Sequence, residues 1–70
     1  MSMDYIRGYY KVPAKRGGRV EYFGGNALKR GTITGARGHR ILIRLDGDDF
    51  PTVFHPTWKI RYLSAEEANA

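Results

Sequence analysis

The stretch RGTITGARGHRILIRLDGDD, residues 30–49, reads as two β-strands folded back on each other, followed by a second, acidic turn. Alternation assigns the faces. Ile33 on the first run, and Ile41, Ile43 and Leu45 on the second, mark strands with one buried side. Bringing Ile33 beside Ile41 leaves Ala36-Arg37-Gly38 as a three-residue loop, with Gly38 in the left-handed conformation that closes such loops. A four-residue loop would set Ile33 opposite Arg40 and break the pattern. The same hairpin carries Arg30, Arg37, Arg40 and Arg44, and the use of those four arginines is the functional question.

Working outward, glycines punctuate short runs rich in Val, Ile, Thr, Tyr and Phe. The runs predict strands over residues 18–23, 30–35, 39–45, 52–55 and 59–63. Val20 and Tyr22, Val53, and Ile60 and Tyr62 join the inward set. Pro51 has no N–H and suits the first residue of a strand. In HPTW, residues 55–58, Pro56 forces His55 to be extended, and one 3₁₀ turn fits before the last strand. The opening DYIRGYYKVPAKRGG predicts a short helical or irregular segment, ended by Gly8 or Pro13 and packed across an open end through Ile6, Tyr9 or Tyr10. The connectivity is that of an all-β, SH3-like, five-stranded antiparallel barrel. It forms one domain over residues 1–64, with residues 1–17 packed on it and 65–70 as a disordered acidic tail.

GGRVEYFGG, residues 17–25, followed by RGTITG, residues 30–35, resembles a KOW motif. Val20 and Tyr22 match its opening apolar pair, and Gly31 and Ile33 its closing glycine and apolar residue. The intervening NALK is shorter than the usual loop and lacks its middle glycine. The chain as a whole is similar to small barrel proteins of phage and prophage type. The resemblance implies a binding module for RNA, ribosomes or transcription machinery.

Seventy residues allow one small core and no engulfing cleft. With no cysteine there is no disulfide staple, which favours a cytoplasmic home. The longest stretch without Lys, Arg, Asp or Glu is nine residues, FPTVFHPTW, far short of a membrane span. The formal charge is +5, and its distribution is uneven: from Tyr5 to Leu45 there are ten Lys or Arg and one acid, Glu21. Such a body suggests a polyanionic partner, either nucleic acid or an acidic protein surface, although the same charge also serves solubility.

Catalytic and cofactor chemistry finds little footing. No phosphate-cradling Gly-x-x-x-x-Gly-Lys occurs, and GTITGARG lacks the dinucleotide spacing. His39 and His55 have no cysteine and no nearby acids to complete a metal site. Ser2 and Ser64 are the only serines, so a nucleophile with an orienting acid is not evident. The expectation is a non-enzymatic module with no metal, cofactor or small-molecule substrate.

The outward parity then carries the reading. It places Thr32, Leu42 and Phe54 in a row, flanked by Arg40 on one side and Arg30 and Arg44 on the other. Apolar and aromatic groups hold bases or side chains, while arginines reach phosphates or carboxylates. Arg30, Arg37, Arg40 and Arg44, with a basic rim of Lys15, Arg16, Arg19 and Lys29, are the candidate nucleic-acid contacts. Leu42, Phe54 and Trp58 are the candidates for a protein partner, for example a host protein bound or inhibited by a phage-type factor. An aromatic cage of the Tudor-like kind would draw on Tyr22, Phe23 or Trp58, although Tyr22 is needed in the core. The competing reading makes YIRGYY a lid over Leu42 and Phe54, and the arginines ordinary covers of neighbouring apolar groups.

Overall fold

A computed structural model describes residues 3–68. Helix α1, Met3–Tyr10, is followed by strands β1 (Arg19–Tyr22), β2 (Lys29–Arg37), β3 (Arg40–Leu45), β4 (Thr52–Phe54) and β5 (Ile60–Tyr62), and by one helical turn, α2 (Ala65–Ala68). The strands form one antiparallel sheet in the order β4-β3-β2-β1-β5. Its backbone pairing is open: β4 and β5 are the edges, so closure into a barrel is not seen in the ladders.

The buried cluster is Ile6, Ala14, Val20, Ile33, Ile41, Ile43 and Ile60. All seven are aliphatic, and six of the seven come from the strands or α1. Ile6 is fully buried with the inward residues of the sheet, so α1 lies on the inner face. Tyr5 meets His39 edge-on and Tyr10 meets His55 edge-on, which ties α1 to the ends of β3 and β4. The helix runs through Gly8 and stops at Tyr10, where Lys11 turns the chain with φ 57°. The outer face, including Leu42, is therefore not roofed by α1.

The β2–β3 hairpin departs from the expected register. Ile33 stands opposite Ile43, not Ile41, and Gly35 opposite Leu42, with Thr34 left unopposed in a bulge. The bulge adds one residue to β2, so Ile33 and Ala36 both face the core although they are three apart. The loop is accordingly two residues, Gly38-His39, between the paired Arg37 and Arg40. Gly38 has φ 61°, the positive value expected of it. Gly31 is held to glycine by packing: a Cβ there would lie 2.6 Å from Ile43 Cγ2 and 2.9 Å from the Arg44 carbonyl oxygen.

Strand β4 has the opposite parity to that expected. Phe54 stands opposite Ile41 and packs on the core, while Val53 faces outward and is 43 % exposed. A three-residue strand has too little alternation to choose a face, and burying the larger ring removes more apolar area from water. The chain after β5 is also ordered into a turn where disorder was expected for residues 65–70. Ser64 Oγ accepts from the Glu67 N–H at 3.2 Å, and Glu67 Oε1 accepts from the Ser64 N–H at 3.0 Å, a reciprocal capping box. Residues 69 and 70 of that tail lie outside the described residues. No helix among the described residues is long and apolar enough to cross a membrane.

Candidate functional site

The outer face of the sheet divides into two electrostatic regions. On β1, β2 and β5, Glu21 stands between Arg30 and Arg61 in the cross-strand register. Arg30 Nε donates to Glu21 Oε2 at 3.0 Å and Arg61 Nε to Oε1 at 2.9 Å. Glu21 is only 6 % exposed, and both its oxygens are satisfied. The hydrogen bond from Arg61, then that from Arg30, holds its carboxyl below the usual range against the opposing effect of burial. Arg61 also donates to Glu67 Oε2 at 2.6 Å, and Glu67 is pulled down to about 2 by this bond and by the Ser64 N–H. Beside this row, Arg19 donates to both oxygens of Asp46, at 2.8 and 2.6 Å, and to Thr32 Oγ1 at 2.8 Å. That fork lowers Asp46 and raises Arg19.

The hairpin end is different. Arg37 and Arg40 stand directly opposite each other in the β2–β3 register, both exposed. Arg44 shares the face of Arg40, four residues along β3 and opposite Thr32. Among the described residues none of these three has a carboxylate within ion-pair distance. Arg44 makes a long contact, 3.4 Å, with the Asp48 carbonyl oxygen, and its charge helps to lower Asp46 from beyond ion-pair distance. Between Arg40 and Arg44 lies half-buried Leu42, flanked by Gly35 and Val53. The expected outer row of Thr32, Leu42 and Phe54 is thus not present. The bulge moves Thr32 to Arg44, and the parity of β4 replaces Phe54 by Val53.

The remaining basic candidates do not extend this patch as one surface. Arg19 and Arg30 are committed to Asp46 and Glu21. Lys29 starts β2 beside Tyr22, eight positions from Arg37, a run of roughly 26 Å at ~3.3 Å per residue. Lys15 lines a crevice shared with Leu63, Ser64 and Glu67, and Arg16 is exposed in the adjacent turn.

Phe54 and Trp58 meet elsewhere. They wall an open groove of about 640 Å³, lined also by Tyr22, Val53, Thr57 and Arg40. The Tyr22 ring lies 4.9 Å from Phe54, tilted 61°, and 6.4 Å from Trp58. Trp58 is 55 % exposed on a turn that is firmly held: Pro56 is buried, its carbonyl oxygen accepts from Tyr62 Oη at 2.7 Å, and the Thr57 N–H donates to His55 Nδ1 at 3.1 Å. Burial pushes the Tyr62 hydroxyl up to about 12, so it stays a donor. Lys59, with φ 58°, sets its ammonium 6.0 Å from the Trp58 ring and 5.8 Å from Phe23. Phe54 and Trp58 are both candidates for a protein partner in the sequence, but the outward parity expected for Phe54 places it with Leu42 and not with Tyr22. The pairing of Tyr22 with Trp58 was visible only as a cage alternative.

His39 packs against Tyr5 and Tyr9, and no group of three His, Cys, Asp or Glu able to hold a metal occurs among the described residues. Comparison with protein-family models, curated proteins and solved structures finds no match to this chain.

Proposed function

We propose that this chain is a non-enzymatic binding module for nucleic acid, and that its phosphate contacts are Arg37, Arg40 and Arg44. The observation that carries the reading is the contrast in charge pairing. Every arginine on the outer face of β1 and β5, and Arg30 on β2, has a carboxylate in ion-pair contact; among the described residues the hairpin arginines have none, and two of them face each other. Like charges directly opposite on a sheet destabilise it, so this arrangement favours a state in which an anion comes between them. Arginine forks suit phosphate oxygens, and Leu42 supplies an apolar strip between the cations. The strand order, with long β2 pairing to both β1 and β3, supports an SH3-like reading of the fold, and the KOW resemblance of residues 17–25 and 30–35 points to the same class of partner.

The test is the salt dependence of oligonucleotide binding. Each phosphate contact contributes a slope of roughly −0.7 to −0.9 in log affinity against log salt. Replacing Arg37, Arg40 and Arg44 together by Gln is expected to flatten the slope by ~2–3. Replacing Lys15, Arg16 and Lys29 is expected to leave it near the parent value. The reverse result moves the interface to the rim. Absence of binding by the parent protein at low salt leaves the charge as a solubility device and favours a protein partner at Leu42 and Trp58.

A further inference from the structure

We infer that the partner is single-stranded and that one of its unpaired bases enters the groove between Phe54 and Trp58, an inference that rests on reading the hairpin arginines as phosphate contacts. Arg40 joins the two sites. It is half of the unpaired Arg37–Arg40 couple and also lines the groove. A strand whose phosphates lie on Arg37 and Arg40 therefore has the groove within one side-chain length. The groove has an aromatic wall, a volume within the range of about 300–1,000 Å³ typical of small-ligand sites, and no acidic residue in its lining. Cations stand at its margin, Arg40 in the lining and Lys59 beside Trp58. Apolar ring surface rimmed by positive charge matches a nucleotide, which is a flat π-face attached to a phosphate.

The form of the nucleic acid follows from which surfaces are free. In a duplex the base faces are covered by their neighbours and the outside is sugar and phosphate. An aromatic groove gains nothing from that surface. An unpaired base offers its face, and stacking on an aromatic side chain tolerates any base. Trp58 is also arranged to receive one. The residue is more than half exposed, yet its turn is fixed by buried Pro56, by the Tyr62 hydroxyl and by the bond from the Thr57 N–H to His55. A turn held in place before binding loses little backbone freedom on binding.

Trp58 is the only tryptophan, so it reports on its own groove. The parent protein is titrated at one salt concentration with a short oligo-dT strand, an oligo-U strand and a duplex of the same length, following tryptophan emission and affinity. Both single strands are expected to quench Trp58 and to bind more tightly than the duplex. Trp58→Ala, at an exposed position and checked by its melting curve, is expected to weaken single-strand binding roughly tenfold or more, with the salt slope unchanged because no charge is lost. Trp58→Phe should recover part of the affinity, and Phe54→Leu, with a melting curve to separate its core packing from binding, should also weaken single-strand binding; unchanged affinity there removes Phe54 from the base site. Equal binding of duplex and single strand, with Trp58→Ala neutral, overturns the groove while leaving the hairpin reading intact. Tighter binding of duplex with unmoved emission overturns it in favour of the β2–β3 ribbon entering a duplex groove. Quenching by poly-glutamate with no binding of any oligonucleotide overturns both readings and makes the partner an acidic protein segment.

Discussion

The two ends of the outer sheet face use the same residue for opposite purposes. At the β5-β1-β2 end, Arg61, Glu21 and Arg30 form a cross-strand row, and Arg19 forks onto Asp46. These arginines neutralise carboxylates that join distant parts of the chain, Glu21 to Arg61 across 40 residues and Arg19 to Asp46 across 27. At the hairpin end, Arg37, Arg40 and Arg44 are exposed and, among the described residues, have no carboxylate within ion-pair distance. Charge therefore supports the fold in one region and is surplus to it in the other. Surplus charge is what an anionic ligand can use without first breaking an ion pair.

The largest way to break the comparison is to remove the frame that both ends share. Ile43 is fully buried and pairs with Ile33 at the middle of the sheet. Ile43→Ala is expected to lower stability by ~2–5 kcal/mol, a large share of what a small domain has. Chemical denaturation measures it. A change under about 0.5 kcal/mol would mean that Ile43 is not in the core, and the assignment of outer and inner faces would go with it.

Next in size is a change at Gly31, where β2 and β3 come closest. A Cβ would press on Ile43 Cγ2 at 2.6 Å and on the Arg44 backbone at 2.9 Å, and backbone cannot swing aside. Gly31→Ala is expected to destabilise by ~1–3 kcal/mol, as overpacking does. The displacement falls at Arg44, so amide chemical shifts of β3 should move more than those of β5. Uniform small shifts would show that the sheet has slack at this point.

Acid separates the two ends without mutation. Glu21, Asp46 and Glu67 all have folded pKa values below their usual ones, Glu67 at about 2. A carboxylate lowered by folding adds stability above its unfolded pKa, and that stability is lost as pH falls through the folded value. The melting temperature should therefore hold from pH 7 to about 5 and decline between about 4.5 and 2 as these groups protonate. Glu21→Gln should remove the part of that decline that Glu21 carries, whereas Arg37→Gln should leave it unchanged. An equal acid sensitivity in both variants would show that the matched row does not set the pH response.

The division was only half legible in the sequence. The strict alternation of Ile41, Ile43 and Leu45 located β3 and its buried side, and Gly38 announced the turn. The bulge at Thr34 was not readable, because an extra residue leaves both flanking runs looking regular. The face of β4 was not readable either, since three residues hold one and a half periods of alternation. Ser64-x-x-Glu67 was a readable helix start that composition obscured, two acidic residues in a terminal tail suggesting disorder. Above all, counting arginines could not show which were paired. Pairing of Glu21 with Arg61 and of Asp46 with Arg19 depends on contacts that exist only once the sheet has formed.

The smallest effect tests the contrast most directly. If Arg37 and Arg40 are surplus to the fold, removing one of them should stabilise the protein. Opposite residues in an antiparallel pair interact by roughly 0.2–1 kcal/mol, and like charges do so unfavourably. Arg37→Gln keeps a long polar side chain and removes the repulsion, so a gain of up to ~0.5 kcal/mol is expected at low salt. Arg37→Lys keeps the charge and should give none. The gain must also fade with added salt, because the Debye length falls from about 30 Å at 0.01 M to about 10 Å at 0.1 M. That fading separates a charge effect from a difference in strand propensity, which salt would not erase. Paired melting curves of the three proteins at the two salt concentrations suffice. A loss of stability in Arg37→Gln at both would mean that this arginine covers Ala36 or the hairpin turn and helps the fold, and the hairpin end would then be matched after all, through packing in place of charge.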